Sequence, residues 1–295
     1  AKGARRGPSI MPGGDKAAYE YIRPIFEAAS AKVGGEPCVA HLGNGSAGNY
    51  VKMVHNGIEY AMMQMISEVY HVMKYGMGKS NADLQTLFDA WNKSDLESFL
   101  LEITAVIFKQ KDEFGDGELV DQILDKAKQK GTGKWTSQNA MDLGVPIPAI
   151  DVSVSMRQIS SFKDQRIKAE KEYQIDRAEL DLTDQDIKSS LFLSFMLAYA
   201  QGFVQLRNAS KEYGYDLNLE VISKIWRGGC IIRSAMLEDF RKAFDQEPAI
   251  ENILLSKVLS PMVKKNISSL QKVVAAALSA GYPVPALSAS LNYLL

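Results

Sequence analysis

Cysteine, net charge and long apolar runs are all scarce in this sequence of 295 residues. The two cysteines, Cys38 and Cys230, are too few for a disulfide framework and lack the spacing of a zinc site. We therefore predict no metal and a reducing, cytoplasmic compartment. The net charge of −1 comes from interspersed signs, so the chain offers no concentrated basic face. A nucleic-acid partner and a membrane-surface role are both disfavoured.

The longest apolar run, residues 191–200, has about half the length that a helix needs to cross a bilayer. Ser194 and Tyr199 interrupt it, so we predict no transmembrane helix. The basic residues at the start are not followed by the apolar segment of a secretory signal, and we expect no signal peptide. What the chain does have is 46% apolar residues, enough for a substantial core in one large domain or two modest ones.

The first 45 residues are predicted to form a strand, a helix and a second strand. The strands are residues 8–11 and 38–42, and the helix between them is capped by Asp15. Such a fragment cannot bury the faces of a sheet by itself. We therefore expect it to complete a sheet whose other strands lie elsewhere.

The rest of the chain, residues 46–295, is predicted to be one large all-α domain. A glycine-rich link at residues 43–48 marks the change of architecture, and helical periodicity prevails after it. Helices are predicted over residues 49–76, 80–92, 94–112, 118–128, 135–143, 147–171, 184–213, 218–227 and 229–245, with several more between 249 and 281.

An internal repeat indicates a duplicated helical unit within this domain. Residues 83–91 align with residues 218–226 at a constant offset of 135, and the two copies end at Trp91 and Trp226. The long predicted helix before each copy ends in a Tyr-Gly pair. Such a repeat also allows one copy to serve as a control for the other.

The most informative stretch is residues 50–60. At 3.6 residues per turn, Lys52, His55, Asn56 and Glu59 share one face of two consecutive helical turns. The flanking residues are mainly apolar, which leaves little of this helix free for water. The pattern predicts a polar face that lines a closed cleft.

Lys52 and Glu59 on a helix are ordinarily a solvent-exposed pair, and a lone His55 is more often a satisfied core histidine. The internal repeat argues against that interpretation. With Gln64 aligned to Gln201, the fold accepts apolar residues at the corresponding positions, namely Phe192, Leu193 and Met196. An amine and a carboxyl on one face suit general acid–base chemistry if burial lowers the lysine pKa or raises the glutamate pKa.

Residues 51–60, Val-Lys-Met-Val-His-Asn-Gly-Ile-Glu-Tyr, resemble the catalytic helix of the 6-phosphogluconate dehydrogenase family. Three further segments agree in the same order, residues 3–14, 130–136 and 226–233, so the resemblance spans essentially the whole chain. It implies oxidation of 6-phosphogluconate by NADP, loss of CO2 and tautomerisation to ribulose 5-phosphate, a reaction of the pentose phosphate pathway. It also implies a homodimer.

The resemblance further implies roles for individual residues. Lys52 would be the general base that takes the proton of the 3-hydroxyl group, and Glu59 would be the acid that protonates the enediol carbon. His55 and Asn56 would hold hydroxyl and carboxylate oxygens of the substrate, in keeping with their hydrogen-bonding groups. Tyr60 would reach the phosphate, together with three residues at matching positions, Lys130, Thr132 and Arg157.

By the same resemblance, residues 1–45 are a remnant of a Rossmann-type dinucleotide-binding domain and residues 46–295 the substrate-binding and dimerisation domain. Most of the family's coenzyme domain and its C-terminal tail have no counterpart in this sequence. We therefore assign no cofactor-binding residue and expect the chain to be inactive alone. The alternative is a non-catalytic helical module for dimerisation or for a phosphate ligand. A non-phosphorylated acid is disfavoured, because Lys130 and Arg157 would then lack an anion.

Overall fold

The computed structural model describes residues 5–295, and helices dominate this range, as predicted. Two long helices, α2 (Ala47–His71) and α9 (Asp184–Tyr213), pack against each other at the centre. The other helices are α1 (Lys16–Ala29), α3 (Asn81–Trp91), α4 (Phe99–Lys109), α5 (Leu119–Gln122), α6 (Thr132–Asp142), α7 (Pro148–Ser161), α8 (Lys163–Tyr173), α10 (Leu219–Trp226), α11 (Met236–Gln246), α12 (Ser260–Ser279) and α13 (Pro285–Leu294).

The N-terminal segment matches its prediction only in part. Asp15 caps α1 as predicted, since its carboxylate accepts a backbone N–H from three residues on at 2.7 Å. The predicted strands 8–11 and 38–42 are wrong as regular strands, because they share one parallel bridge, between Ile10 and Val39. Within residues 5–295 no further strand lies beside them to extend the pairing. The regular sheet found there is instead a short hairpin of β1 (Lys32–Val33) and β2 (Glu36–Pro37).

The apolar helix α9 is the core of the domain. It begins at a capping box in which the Thr183 and Asp186 side chains bond to each other's backbone N–H groups. By length and composition α9 could cross a membrane, but 83% of its most apolar window is buried inside the protein, as in the core helix of a globular domain. Gly202 lets α2 approach closely, since a β-carbon there would lie 2.5 Å from the Ile58 side chain.

The predicted duplication is present in three dimensions. Each long helix is followed by two shorter ones that pack on each other, α3 with α4 after α2, and α10 with α11 after α9. Trp91 and Trp226 end the first short helix of each unit. The two units meet at an antiparallel bridge between Ser98 and Ser234.

The duplication extends further than the sequence analysis found. Helices α7 and α13 both begin at a Pro-Ala pair, with Pro148 and Pro285 as their first residues. The residues that precede them, Ile147 and Val284, have nearly the same backbone angles, φ −130° and ψ 52° against φ −133° and ψ 58°. Because α7 and α13 also pack on each other, the domain has two related halves with α2 and α9 at the centre.

One predicted helix is largely wrong. The segment 118–128 is helical only over α5, and its second half runs as an irregular strap. Asp125 in this strap forms ion pairs with Lys163 and Arg166, and a nearby backbone N–H donates to the Ser160 hydroxyl at 2.9 Å. These ties to α7 and α8 take the place of helical hydrogen bonds.

Other boundaries also differ from the prediction. The predicted helix 147–171 is interrupted at Phe162, whose φ of −87° and ψ of 46° separate α7 from α8. The helix predicted over 94–112 begins five residues later, because the Ser98 side chain caps it. The helix predicted over 229–245 begins at Met236, and α13 lies beyond every predicted helix.

Candidate active site

The predicted polar face of α2 is formed in the structure. The apolar face of this helix holds it against α9, where Ile58 contacts Gly202. On the polar face, the Lys52 Nζ lies 3.2 Å from the His55 Nδ1, and the same ring nitrogen lies 3.0 Å from the Asn56 Oδ1. An amine, an imidazole and an amide are therefore joined in one hydrogen-bonded group.

His55 is the buried member of this group. Its side chain is fully inaccessible to solvent and meets the Trp226 ring edge-on, with 5.5 Å between ring centres. Burial, assisted by the positive charge of Lys52, lowers the pKa of His55 to about 3, so the imidazole is neutral. The tautomer decides the roles at Nδ1: it either donates its N–H to the Asn56 Oδ1 or accepts from the Lys52 amine. The His55 Nε2 has no hydrogen-bond partner among the described residues.

The pKa values of Lys52 and Glu59 are shifted in opposite directions. Although the Lys52 side chain is exposed at one side, the protein around its amine lowers its pKa, and the Glu59 charge only partly offsets this. Burial raises the pKa of Glu59, against the opposing charges of Lys52 and Arg157. Both shifts favour the neutral form, which suits an amine that accepts a proton and a carboxyl that donates one.

A cationic and aromatic pair continues the site one residue beyond Glu59. The Arg157 guanidinium on α7 lies 4.3 Å above the centre of the Tyr60 ring. It also donates to the Lys128 carbonyl at 3.0 Å. The cleft beside them is lined by residues of α2, α7 and α8 and of the strap before α6, among them Tyr60, Met63, Gln64, Lys126, Arg157 and Arg166.

The segment that carries Lys130 and Thr132 lies against this pair. One end is held through the bond of Arg157 to Lys128, and at the other end Gly133 packs on Tyr60, where a β-carbon would lie 2.9 Å from the ring. Gly131 between them has a φ of 101°, a conformation that favours glycine, and α6 begins directly after it. Lys130 is exposed and Thr132 is half-buried. The structure thus places the segment with Lys130 and Thr132 beside the Tyr60–Arg157 pair, and of the four predicted phosphate residues Tyr60 and Arg157 line the cleft itself.

The seat of α6 on α2 depends on a small residue. A β-carbon at Gly57 would lie 2.6 Å from the Thr136 methyl group, so α6 could not approach as closely beside a larger residue. The Thr136 hydroxyl donates to the Met53 carbonyl at 3.0 Å. This contact fixes the start of α6 relative to the polar face of α2.

Sequence reasoning missed two neighbours of the site. Trp226 lies within a motif of the resemblance, but nothing in its spacing indicated contact with His55. Arg166 lines the cleft from α8, and a helix with charges on all sides carried no signal that singled it out. Two arginines of the matching motifs are instead tied to acids: Arg227 bonds to Glu36 and Glu238, and Arg233 to Glu102.

Residues 43–48 have the pattern G-x-G-x-x-G and run into the first turn of α2. The sequence analysis assigned no cofactor residue and did not use this pattern. In dinucleotide-binding folds such glycines face a pyrophosphate. Here backbone occupies those sides of Gly43 and Gly48. A β-carbon on Gly43 would lie 1.9 Å from the Tyr215 carbonyl oxygen, and one on Gly48 would lie 2.0 Å from that of Met11. The middle glycine, Gly45, has no atom within 4 Å of its β-carbon position. We assign none of these residues to a cofactor.

A helical domain that pairs an amine with a carboxyl beside an arginine-containing cleft has the features of the substrate-binding domain of an enzyme. Comparison with protein-family models identifies the family. Residues 48–295 match "6-phosphogluconate dehydrogenase, C-terminal domain", and residues 1–43 match "NAD binding domain of 6-phosphogluconate dehydrogenase". The chain belongs to the 6-phosphogluconate dehydrogenase family.

Individual relatives agree with this. The chain is 49% identical to the NADP(+)-dependent, decarboxylating 6-phosphogluconate dehydrogenase of Bacillus subtilis, over 99% of its own length and 63% of the relative. It is 47% identical to the decarboxylating enzyme of Lactococcus lactis, with the same coverage. The solved structure of Plasmodium falciparum 6-phosphogluconate dehydrogenase matches with a TM-score of 0.96 and 43% identity, over 99% of this chain and 64% of that one. The chain thus spans somewhat less than two thirds of these relatives.

Proposed function

We propose that this chain carries the substrate-binding and proton-transfer part of a decarboxylating 6-phosphogluconate dehydrogenase. The reaction converts 6-phosphogluconate to ribulose 5-phosphate and CO2 with reduction of NADP, in the pentose phosphate pathway. The observation that carries the proposal is the Lys52–His55–Asn56 group with Glu59, on the helix that also carries Tyr60, whose ring lies under the Arg157 guanidinium of α7. The relatives named for this reaction support it.

Lys52 is the proposed general base. Burial lowers its pKa, which increases the fraction of free amine that can take the proton of the 3-hydroxyl group. NADP, when bound, would supply the acceptor for the hydride of the same carbon. Glu59 is the proposed acid. Burial raises its pKa, so a larger fraction of its carboxyl groups retains the proton that the enediol carbon later receives.

The neighbouring residues bind and orient the substrate in this proposal. Asn56 and the neutral His55 offer hydrogen bonds to its hydroxyl and carboxylate oxygens. Arg157 offers the planar guanidinium that matches a phosphate, and Tyr60 supports that group from below. Two residues of the neighbouring segment, Lys130 and Thr132, complete the proposed phosphate site.

We further propose residues 1–45 as part of the dinucleotide-binding domain and residues 46–295 as the substrate and dimerisation domain. NADP is the proposed cofactor, since the Bacillus relative is named for it and the Plasmodium structure is titled as its complex. No residue of this chain is assigned to NADP, and we therefore expect the 295-residue chain to bind 6-phosphogluconate without turning it over. The compartment stays a prediction, because the relatives include a chloroplastic enzyme of spinach.

A homodimer is part of the proposal. Large apolar side chains are exposed in the consecutive helices α6, α7 and α8 and just after them, and a second copy would cover them. They are Trp135, Met141, Ile159, Phe162, Ile167, Tyr173 and Ile175. Sedimentation of the purified chain should give twice the monomer mass, and a monomer at micromolar concentration would contradict this part of the proposal.

Calorimetry with 6-phosphogluconate tests the proposed function. We expect the chain to bind it, and Arg157→Ala to bind ~10-fold to 100-fold more weakly, because a charged hydrogen bond is worth about 1.5–3 kcal/mol. Lys52→Met should bind with a smaller loss, since Lys52 acts on a proton. No binding by the intact chain would favour the alternative of a non-catalytic dimerisation module. NADPH production by the chain alone would contradict the expectation of inactivity.

A further inference from the structure

We propose that Gln201 and Gln205 are positioning residues that hold α7 and α6, the two helices with the proposed phosphate contacts, in place beside α2. The inference rests on the function proposed above. Both glutamines lie on α9, one turn apart, and neither side chain has any solvent exposure. A buried amide costs free energy unless its hydrogen bonds are made. In each of these amides one group has a partner, and the other, Gln201 Nε2 or Gln205 Oε1, has none among residues 5–295.

Gln201 holds the first turn of α7. Its Oε1 accepts a hydrogen bond from the Ala149 N–H at 3.0 Å. Ala149 is the second residue of α7, directly after Pro148, and its N–H has no acceptor within the helix. Ile147, the residue before the helix, provides no side-chain cap, so the glutamine supplies it from α9. Arg157 lies on the same helix, about two turns further on.

Gln205 holds α6. Its Nε2 donates to the Thr136 carbonyl at 2.9 Å and to the Tyr50 hydroxyl at 3.3 Å. That hydroxyl in turn donates to Asn139 Oδ1 at 2.5 Å, so a second residue of α6 is attached to α2 through the same group. Thr132 lies one turn before Thr136, at the start of this helix.

The partners fix which way each amide faces. Ala149 offers an N–H, so Gln201 must present its oxygen, and Thr136 offers a carbonyl, so Gln205 must present its NH2 group. Glutamate should therefore be tolerated better in place of Gln201 than in place of Gln205. An ionised carboxylate can replace the amide oxygen of Gln201 but cannot donate to Thr136, so the glutamate variants are compared above the pKa of the introduced carboxyl group.

The related half of the domain uses the same device. Glu68 on α2 accepts from the N–H groups of Ala286 and Leu287, in the first turn of α13, at 2.8 and 2.9 Å. Gln64, which aligns with Gln201, donates to Glu68 at 2.9 Å, and Glu68 itself aligns with Gln205, so the two caps come from positions one turn apart. Each central helix thus caps the helix of the other half that begins with proline: α9 caps α7, and α2 caps α13. We propose that the cap on α7 determines where Arg157 lies.

The proposal predicts a loss of substrate affinity in folded protein. Gln201→Leu and Gln205→Leu should each weaken binding of 6-phosphogluconate by calorimetry on the order of 10-fold, equivalent to about 1.4 kcal/mol. The pKa of Lys52, followed by 13C NMR of its ε-carbon, should stay as in the unsubstituted chain. Ser194→Ala is the control on the same helix, since Ser194 is fully buried and its hydroxyl has no hydrogen-bond partner among residues 5–295.

Two isosteric variants should change the affinity for 6-phosphogluconate in different ways. A purely structural role of the two glutamines predicts no such difference. Gln201→Glu keeps an acceptor for Ala149 and should retain most of the affinity, whereas Gln205→Glu loses its donor to Thr136 and should not. If the leucine variants fail to fold by circular dichroism, this pair decides. Affinity unchanged in both leucine variants, or lost equally in both glutamate variants, would overturn the proposal.

Failure of the proposed function is a separate result. In that case the unsubstituted chain would not bind 6-phosphogluconate at all. Hydrogen exchange then still tests the holding of the helices: the leucine variants should expose the first turn of α7 and the middle of α6, with the Ser194→Ala chain unchanged. Equal protection in all variants would refute the role of the two glutamines.

Discussion

The guanidinium of Arg157 lies 4.3 Å above the Tyr60 ring, and this pair joins the two parts of the proposed site. Tyr60 follows Glu59 on the helix with the proposed acid and base. Arg157 reaches the segment with Lys130 and Thr132 through the Lys128 carbonyl. Tyr60 therefore connects the pair to the helix with the proposed acid and base, and Arg157 connects it to the proposed phosphate site.

Lys52 should titrate below the ordinary lysine pKa of 10.5, because burial around its amine outweighs the charge of Glu59. The measurement is 13C NMR of the lysine ε-carbon as a function of pH. Glu59→Gln should lower the pKa of Lys52 further, since it removes the opposite charge that raises it. A rise of the pKa in Glu59→Gln would contradict the arrangement described for this face.

His55 should remain neutral between about pH 5 and pH 8, unlike an exposed histidine. Its pKa of about 3 results from burial first and from the Lys52 charge second. Ring nitrogen shifts in 15N NMR report the protonation state. Lys52→Met should raise the pKa of His55, because it removes one of the two causes of the shift. An imidazole that titrates near neutrality in the unsubstituted chain would disprove the burial of this group.

Gly133→Ala should disturb the site from the side of α6. The new methyl group would lie 2.9 Å from the Tyr60 ring and 3.0 Å from Val154, so the ring or the helix has to move. Overpacking of this kind costs about 1–3 kcal/mol, and we expect a lower melting temperature and ~10-fold weaker binding of 6-phosphogluconate. Gly115→Ala is the matched control in an exposed loop, where the nearest atom lies 3.2 Å away in the Asp112 side chain. Equal effects of the two substitutions would argue against the Gly133 contact.

Glu68 should make stability depend on pH. Burial raises the pKa of its carboxyl from 4.5 to about 7, despite the hydrogen bonds from Leu287, Ala286 and Gln64 that favour the charged form. A raised folded-state pKa stabilises the protein fully below pH 4.5, and that contribution is lost as the pH rises through about 7. The loss amounts to about 3 kcal/mol, since each unit between the two pKa values corresponds to about 1.4 kcal/mol.

Urea unfolding of Glu68→Gln across this pH range tests the effect. The difference in unfolding free energy should shift in favour of the variant between about pH 4.5 and pH 7 and stay constant above. Glu68→Leu removes the cap of α13 and should be less stable than the unsubstituted chain at low pH, which separates capping from titration. If the free-energy difference between Glu68→Gln and the unsubstituted chain does not change with pH, the raised pKa is refuted.

Local patterns predicted the site helix well and long-range contacts poorly. The spacing of Lys52, His55, Asn56 and Glu59 sufficed to predict a shared face, because helical geometry depends on neighbouring residues alone. The strap after α5 was wrongly predicted as helix. The ion pairs that hold it, from Asp125 to Lys163 and Arg166, join residues about 40 positions apart. No local pattern contains such partners.

The positioning glutamines show the same limit. Gln201 and Gln205 lie in the most apolar helix of the chain, where each could be a tolerated polar residue. Their partners, Ala149 and Thr136, are separated from them by 52 and 69 residues. Only the internal repeat carried a trace of them, through the alignment of Gln64 with Gln201, and that signal identified the position without its function.

A crystal structure of the chain with 6-phosphogluconate tests the central claim most directly. We predict that the phosphate contacts Arg157, Lys130 and Thr132, and that the 3-hydroxyl group lies within hydrogen-bond distance of the Lys52 amine with Glu59 near the reacting carbons. A substrate bound in the reverse direction, or with its phosphate outside the Tyr60–Arg157 cleft, would contradict the assignment of this site.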